Sequence, residues 1–132
     1  MRKIENINVF NDERGLLIPI EFHNLPFIPK RVFLVNNVPI NEIRGNHAHH
    51  ETKQLIICVN GSVDVILHDG ESEKTYRLEI GQQILVPELI WDSQKFLTEN
   101  SEILVVCSTN YDINDYILDF NKFLDITISK DI

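Results

Sequence analysis

In the stretch RGNHAHHETKQLIICVNG, residues 44–61, two histidines stand two positions apart, after a glycine and ahead of an apolar run. Side chains alternate along an extended chain, so His47 and His49 share one face while Ala48 and His50 point to the other. Imidazole does two kinds of work: as a neutral ligand it holds metals, and with a pKa near ~6.5 it moves protons at neutral pH. A histidine pair facing one cavity therefore predicts either a metal centre or an acid–base site.

The elements that must position this pair read as strands. LLIPIEF (16–22), RVFLVNN (31–37), QLIICVN (54–60), SVDVILH (62–68), KTYRLEI (74–80), QILVPELIW (83–91), QKFLT (94–98) and EILVVCST (102–109) are rich in β-branched residues. Alternation is clearest in SVDVILH, which sets Val63, Val65 and Leu67 on one face. Asn60-Gly61, Asp69-Gly70 and Gly81 punctuate the runs, and Asp69-Gly70 predicts a hairpin. Short strands at even spacing, with no long helical period, predict an all-β sandwich or barrel. Only INDYILDFNKFLDI (113–126) has helical spacing, with Tyr116, Phe120 and Phe123 on one predicted packing face.

A chain of 132 residues fits a single domain, 1–132. Its 20 acidic against 12 basic residues give a net charge of -8, which repels phosphate backbones and argues against nucleic acid. A small anionic ligand remains admissible where a few arginines gather. No apolar run reaches the ~18–20 residues that cross a bilayer, and Glu5, Asn6 and Asn8 interrupt any secretory signal, so a cytoplasmic protein without a membrane partner is expected. Cys58 and Cys107 sit in apolar runs and read as buried free thiols.

The spacing around the pair resembles the cupins, small jelly-roll β-barrels. His47, His49 and Gly61 fall on the first cupin motif, and Gly81 and Pro87 on the second. The motif's glutamate position holds Gln54, however, and its last histidine position holds Asp92. Two of four expected metal ligands are thus replaced. His47, His49 and Asp92 would still make a two-histidine, one-carboxylate set suited to ferrous iron. An iron oxygenase is one reading; a non-catalytic cupin that binds a sugar nucleotide is another.

Three stretches together resemble the nucleotide-sugar 3,4-ketoisomerases, metal-free cupins acting on thymidine-diphosphate 4-keto-6-deoxy sugars. They are DERGLLIPIE (12–21), RGNHAHHETKQLIICVNGSVDVILHDG (44–70) and YDINDYI (111–117). The resemblance implies an isomerase with no cofactor and no metal, moving the ketone from C4 to C3 through an enediol. It also implies a thymidine-diphosphate-linked keto sugar as partner, a role in deoxyamino-sugar synthesis for surface polysaccharide, and a homodimer with KIENINVF (3–10) as an exchanged strand. By carry-over, His47 and His49 are the catalytic pair, His47 nearer the base role, with Gln54 hydrogen-bonding a histidine or a sugar oxygen. Arg44 is the first candidate for the diphosphate and Arg31 the second. Arg14 matches a position that in related epimerases reaches the nucleotide across a subunit boundary. For Arg31 and Arg14 the competing reading is a surface salt bridge, and for Trp91, a possible pocket wall, it is core packing. Phe33 and Asp92 depart from the pattern, which commonly has tyrosine and histidine there. A carboxylate at Asp92 would hold an imidazolium and raise a neighbouring histidine's pKa.

Overall fold

In a computed structural model that describes residues 3–130, strands β7 (Ser62–His68) and β8 (Glu73–Glu79) form the hairpin expected at Asp69-Gly70. Asp69 Oδ1 accepts from the backbone N–H groups of Glu71 and Ser72, which closes the turn while Gly70 takes φ 103°. Asn60-Gly61 does something different. It carries the chain from β6 (Gln54–Asn60) in one sheet to β7 in the other.

The remaining strands are β1 (Ile4–Asn6), β2 (Phe10–Asp12), β3 (Gly15–Leu17), β4 (Arg31–Val35), β5 (Ile43–His49), β9 (Gln82–Val86), β10 (Trp91–Phe96), β11 (Glu102–Cys107) and β12 (Tyr116–Ile117). One five-stranded sheet runs β1-β9-β6-β11-β4 and the other β12-β5-β10-β7-β8, while β2 and β3 make a separate hairpin. All pairings are antiparallel. The two sheets enclose Ile56, Cys58, Val63, Val65, Leu67, Leu78, Ile84, Val86, Phe96, Ile103 and Val105. This is the expected cupin-like sandwich, with sheets that do not close into a barrel.

Burial explains which strands alternate. The inward residues of β7 are buried and its outward ones half-buried. On β6 both faces are covered, because Leu55 and Ile57 lie beneath Ile20, Leu25 and Phe27 outside the sheet. A strand covered on both sides reads as one continuous apolar run.

Two predicted strands are cut short near a proline. Strand β3 ends at Leu17, just short of Pro19, and a 3₁₀ turn takes Phe22–Asn24. Pro87 ends β9 at Val86, so 83–91 is a strand, a turn and the start of β10. The tail differs most. Helix α1 covers Phe120–Lys130, capped by Asp119 through the N–H groups of Asn121 and Lys122. Tyr116 lies outside it, because the edge of β5 recruits Tyr116 and Ile117 as β12, opposite His49 and Ala48. Phe123 packs with Ile117 and Ala48 on the outer face of β5. The expected exchanged segment forms β1, which pairs here with β9 of its own chain. Among the described residues, no helix is long and apolar enough to cross a membrane.

Candidate active site

The residues ahead of the histidine pair do not form a regular strand. Asp92 pairs with His47, Ser93 with Gly45 and Gln94 with Arg44, so the register slips by one residue between Asp92 and Ser93. Asn46 is the extra residue, with φ 59° beside Gly45 at 91°. Its Oδ1 accepts from Ser93 Oγ at 2.6 Å, which pins the bulge. Arg44 precedes His47 by three positions and on a regular strand would face the other way. Cross-strand partners share a face, so the bulge returns Arg44 to the side of His47, Asp92 and Gln94.

His47 and His49 project together, as expected, with ring centroids 5.0 Å apart. Ala48 is buried on the opposite face and His50 is exposed. The Tyr116 ring closes the group, 5.1 Å from His47 and 4.4 Å from His49. Nδ1 of His49 lies 3.1 Å from Asp115 Oδ2. That carboxylate also accepts from the backbone N–H groups of Glu51 and Thr52 and from the Thr52 hydroxyl, which itself contacts Thr109 Oγ1 at 2.6 Å. Burial pushes the Asp115 carboxyl up, but the bonds from Thr52, Glu51 and His49 together outweigh it and hold it below the usual carboxylate range. An ionised Asp115 can only accept, so Nδ1 of His49 carries the hydrogen and Nε2 keeps its lone pair. The Nε2 atoms of both histidines are buried and have no hydrogen-bond partner.

The other pair has the opposite character. Asp92 is fully buried, and burial lifts its carboxyl to about 7 against the lowering effect of a bond from Gln94. Its Oδ2, also unpartnered, stands 3.7 Å from His47 Nε2, beyond hydrogen-bond range. The expectation that Asp92 raises the histidine is therefore corrected. Burial, then the nearby His49, lowers His47 to about 4, with a backbone bond at Gly45 opposing. Burial also lowers His49, outweighing the pull of Asp115 in the other direction.

Arg31 joins this group rather than a surface salt bridge. Its guanidinium lies 4.7 Å from the Phe33 ring centroid and 5.1 Å from that of Tyr111, and it donates to Tyr116 Oη at 3.4 Å. Gln54 is buried in the facing sheet, where its amide donates to Cys107 Sγ at 3.6 Å instead of to a histidine. Arg14 does not reach the group within its own chain. It sits in the β2–β3 turn, paired with Asp12 at 2.8 Å and 86% exposed. Trp91 is likewise elsewhere: next to inward Asp92, it points outward and packs on Phe120 and Phe123 at 5.2 and 5.7 Å. The pocket-wall reading of Trp91 is thereby replaced by packing. Among the described residues, no group of three His, Cys, Asp or Glu side chains is placed to hold a metal ion. His47, His49 and Asp92 therefore do not assemble the ferrous set of the alternative reading.

Sequence reasoning passed over Asp115, Tyr116, Thr52 and Tyr111. Three of them lie in or beside YDINDYI, whose polar residues within an apolar tail were the available signal.

The protein family FdtA, described as WxcM-like, C-terminal, matches residues 1–128. A TDP-4-oxo-6-deoxy-alpha-D-glucose-3,4-oxoisomerase of Aneurinibacillus thermoaerophilus is 34% identical over 125 residues, 92% of this chain and 88% of the relative. The crystal structure of a 3,4-ketoisomerase from Helicobacter canadensis superposes with a TM-score of 0.88 at 31% identity, covering 96% of this chain and 97% of that one. A His-to-Asn variant of the 3,4-ketoisomerase QdtA from Thermoanaerobacterium thermosaccharolyticum, in complex with TDP-4-keto-6-deoxyglucose, gives 0.89 at 30% identity, covering 98% and 95%.

Proposed function

Because the chain belongs to the FdtA family, we propose that it isomerises a thymidine-diphosphate-linked 4-keto-6-deoxy sugar, moving the ketone from C4 to C3. The observation that carries this reading is the pair of buried, unpartnered Nε2 atoms of His47 and His49 on one strand face. Removing the C3 hydrogen needs a neutral base, and burial keeps His47 neutral at physiological pH. His47 takes that hydrogen as a proton, an enediol forms, and the same ring returns the proton at C4. His49, with Asp115 behind it to stabilise a transient imidazolium, accepts the C3 hydroxyl proton. General acid–base help of this kind is worth about 10²–10⁴ in rate.

Arg44, brought to the same face by the bulge, is the first candidate for the diphosphate, since a guanidinium binds phosphate bidentately. Arg31 is the second; no carboxylate pairs with it among the described residues. Arg14 serves the site only across a subunit boundary. A homodimer with the exposed β2–β3 hairpin against its partner would supply that boundary and cover Phe10, Leu16 and Leu17. The product feeds deoxyamino-sugar synthesis for surface polysaccharide in the cytoplasm.

The test is incubation with freshly prepared TDP-4-keto-6-deoxyglucose in the presence of chelator, with an aminotransferase trapping the 3-keto product. Aminated product from the wild type, and almost none from His47→Asn or His49→Asn of intact fold, is expected. Tight thymidine diphosphate binding without turnover of any keto sugar would leave a binding module instead.

A further inference from the structure

The catalytic pair accounts for the hydrogen leaving C3 and for the hydroxyl proton leaving O3. It does not account for the proton that the C4 ketone oxygen must gain when the enediol forms. One group on the same sheet face is built to supply it. Asp92 lies on β10 directly across from His47, with no exposed surface. Its Oδ1 is engaged by the Gln94 amide, while its Oδ2 is buried, unpartnered and on the His47 side.

Burial favours the neutral acid at Asp92 against the bond donated by Gln94, and Arg44, although on the same face, lies at the exposed end of β5. From β5 comes His47, itself held uncharged by burial. From β7 comes Leu67, its register partner, which is apolar. From β11 in the facing sheet comes the Cys107 thiol, kept protonated by burial. No fixed cation neutralises the carboxylate on its own strand, where the nearest polar contact is the uncharged Gln94. A carboxyl group in such surroundings keeps its hydrogen and becomes a donor.

We propose that Asp92 is a third catalytic residue of the isomerase, a carboxylic acid whose Oδ2 hydrogen protonates the ketone oxygen of the sugar. This rests on the isomerase reading above. The step balances. As the C3–H bond breaks, its proton goes to His47 Nε2 and its electron pair forms the C2-distal double bond between C3 and C4. The carbonyl π pair at C4 moves to oxygen, which takes the Asp92 proton. The enediol is therefore neutral, and the two charges created, imidazolium and carboxylate, are cross-strand neighbours. When His49 takes the O3 proton, a carbonyl forms at C3 and C4 recovers the proton from His47. Transfer of one proton from His49 to Asp92 resets the site. Neither charge is made alone in the buried space, which is the advantage of an aspartate at this position.

The test compares wild type with Asp92→Asn, which preserves size and can still accept from the Gln94 amide but cannot give up a proton. The variant is expected to lose on the order of 10² in kcat with KM little changed. Wild-type kcat should decline as pH rises through about 7, where the acid loses its proton, and the variant should lack that limb. An Asp92→Asn enzyme with wild-type kcat and the same alkaline limb would overturn the proposal. A second measurement does not depend on turnover or on how the variant folds. Difference infrared spectra of the wild type between about pH 6 and pH 8 should show a protonated-carboxyl stretch converting to carboxylate. Its absence overturns the proposal as well. If the wild type fails on every keto sugar while the infrared band is present, the isomerase reading has failed and the buried acid stands.

Discussion

Asp115 Oδ2 lies 3.1 Å from His49 Nδ1, although 66 residues of chain separate them. The contact fixes one tautomer of the imidazole and ties the tail to the strand that carries the histidine pair. Asp115→Asn keeps the shape but sets an NH2 group against the ring N–H and the Thr52 N–H or, flipped, against the Glu51 N–H. Turnover should fall by at least about 10², as when a general base loses its orientation. The 51–52 loop should loosen too, lowering stability by about 1–3 kcal/mol, since part-buried donors lose an acceptor. Steady-state kinetics and denaturant midpoints check both, and unchanged kcat would remove Asp115 from the mechanism.

His47 and Asp92 should pull the pH dependence of stability in opposite directions. His47 binds its proton less readily folded (about 4) than unfolded (6.5), so between those values its contribution grows as pH rises and is lost as pH falls. Asp92 keeps its proton longer folded (about 7) than unfolded (3.8), so its contribution is full below 3.8 and is lost as pH rises through 7. Over pH 4 to 6.5 the two slopes offset each other. Removing one exposes the other: His47→Asn should become less stable with rising pH in this window, and Asp92→Asn more stable. Urea midpoints at its two ends read the signs directly.

Arg44 should act in binding. Arg44→Gln is expected to weaken thymidine diphosphate by roughly 1.5–3 kcal/mol, the worth of hydrogen bonds to a charged group, with little change in kcat. Deleting Asn46 should produce the same loss by turning Arg44 to the opposite face. Calorimetric titration of thymidine diphosphate compares the two, and full affinity in the deletion would show that the bulge does not aim the arginine.

Trp91 belongs to the packing behind β10. Trp91→Phe should therefore leave kcat and KM near wild-type values. Trp91→Ala should destabilise by about 2–4 kcal/mol as contacts with Phe120 and Phe123 are lost. A selective collapse of kcat in a stable Trp91→Phe enzyme would place the indole in the site after all.

Much of this was legible from strand chemistry. Of the three turn signals read from the sequence, Asp69-Gly70 is the one whose flanking runs pair directly, and alternation in SVDVILH follows from a single covered face. The same-face placement of His47 and His49 needs only the period of two. Arg44 was reached by family likeness, because counting by twos assigns it to the wrong face; the inserted Asn46 is invisible to a periodicity argument. Tyr116 and Asp115 were lost for a related reason. Helical spacing in 113–126 looks continuous until a neighbouring strand edge captures two residues of it. Trp91 and Asp92 show the limit of adjacency: consecutive residues on a strand serve opposite layers.

Ala48, between the two histidines, has no exposed surface and lies against Ile117, Phe123 and Trp91. The middle letter of the H-A-H triplet thus answers to the roof of the molecule, while its outer letters answer to the opposite face, where their rings meet Tyr116. A longer aliphatic there would lever the terminal helix away and tilt both rings together, so a single methyl group on the hidden side sets the aim of two imidazoles.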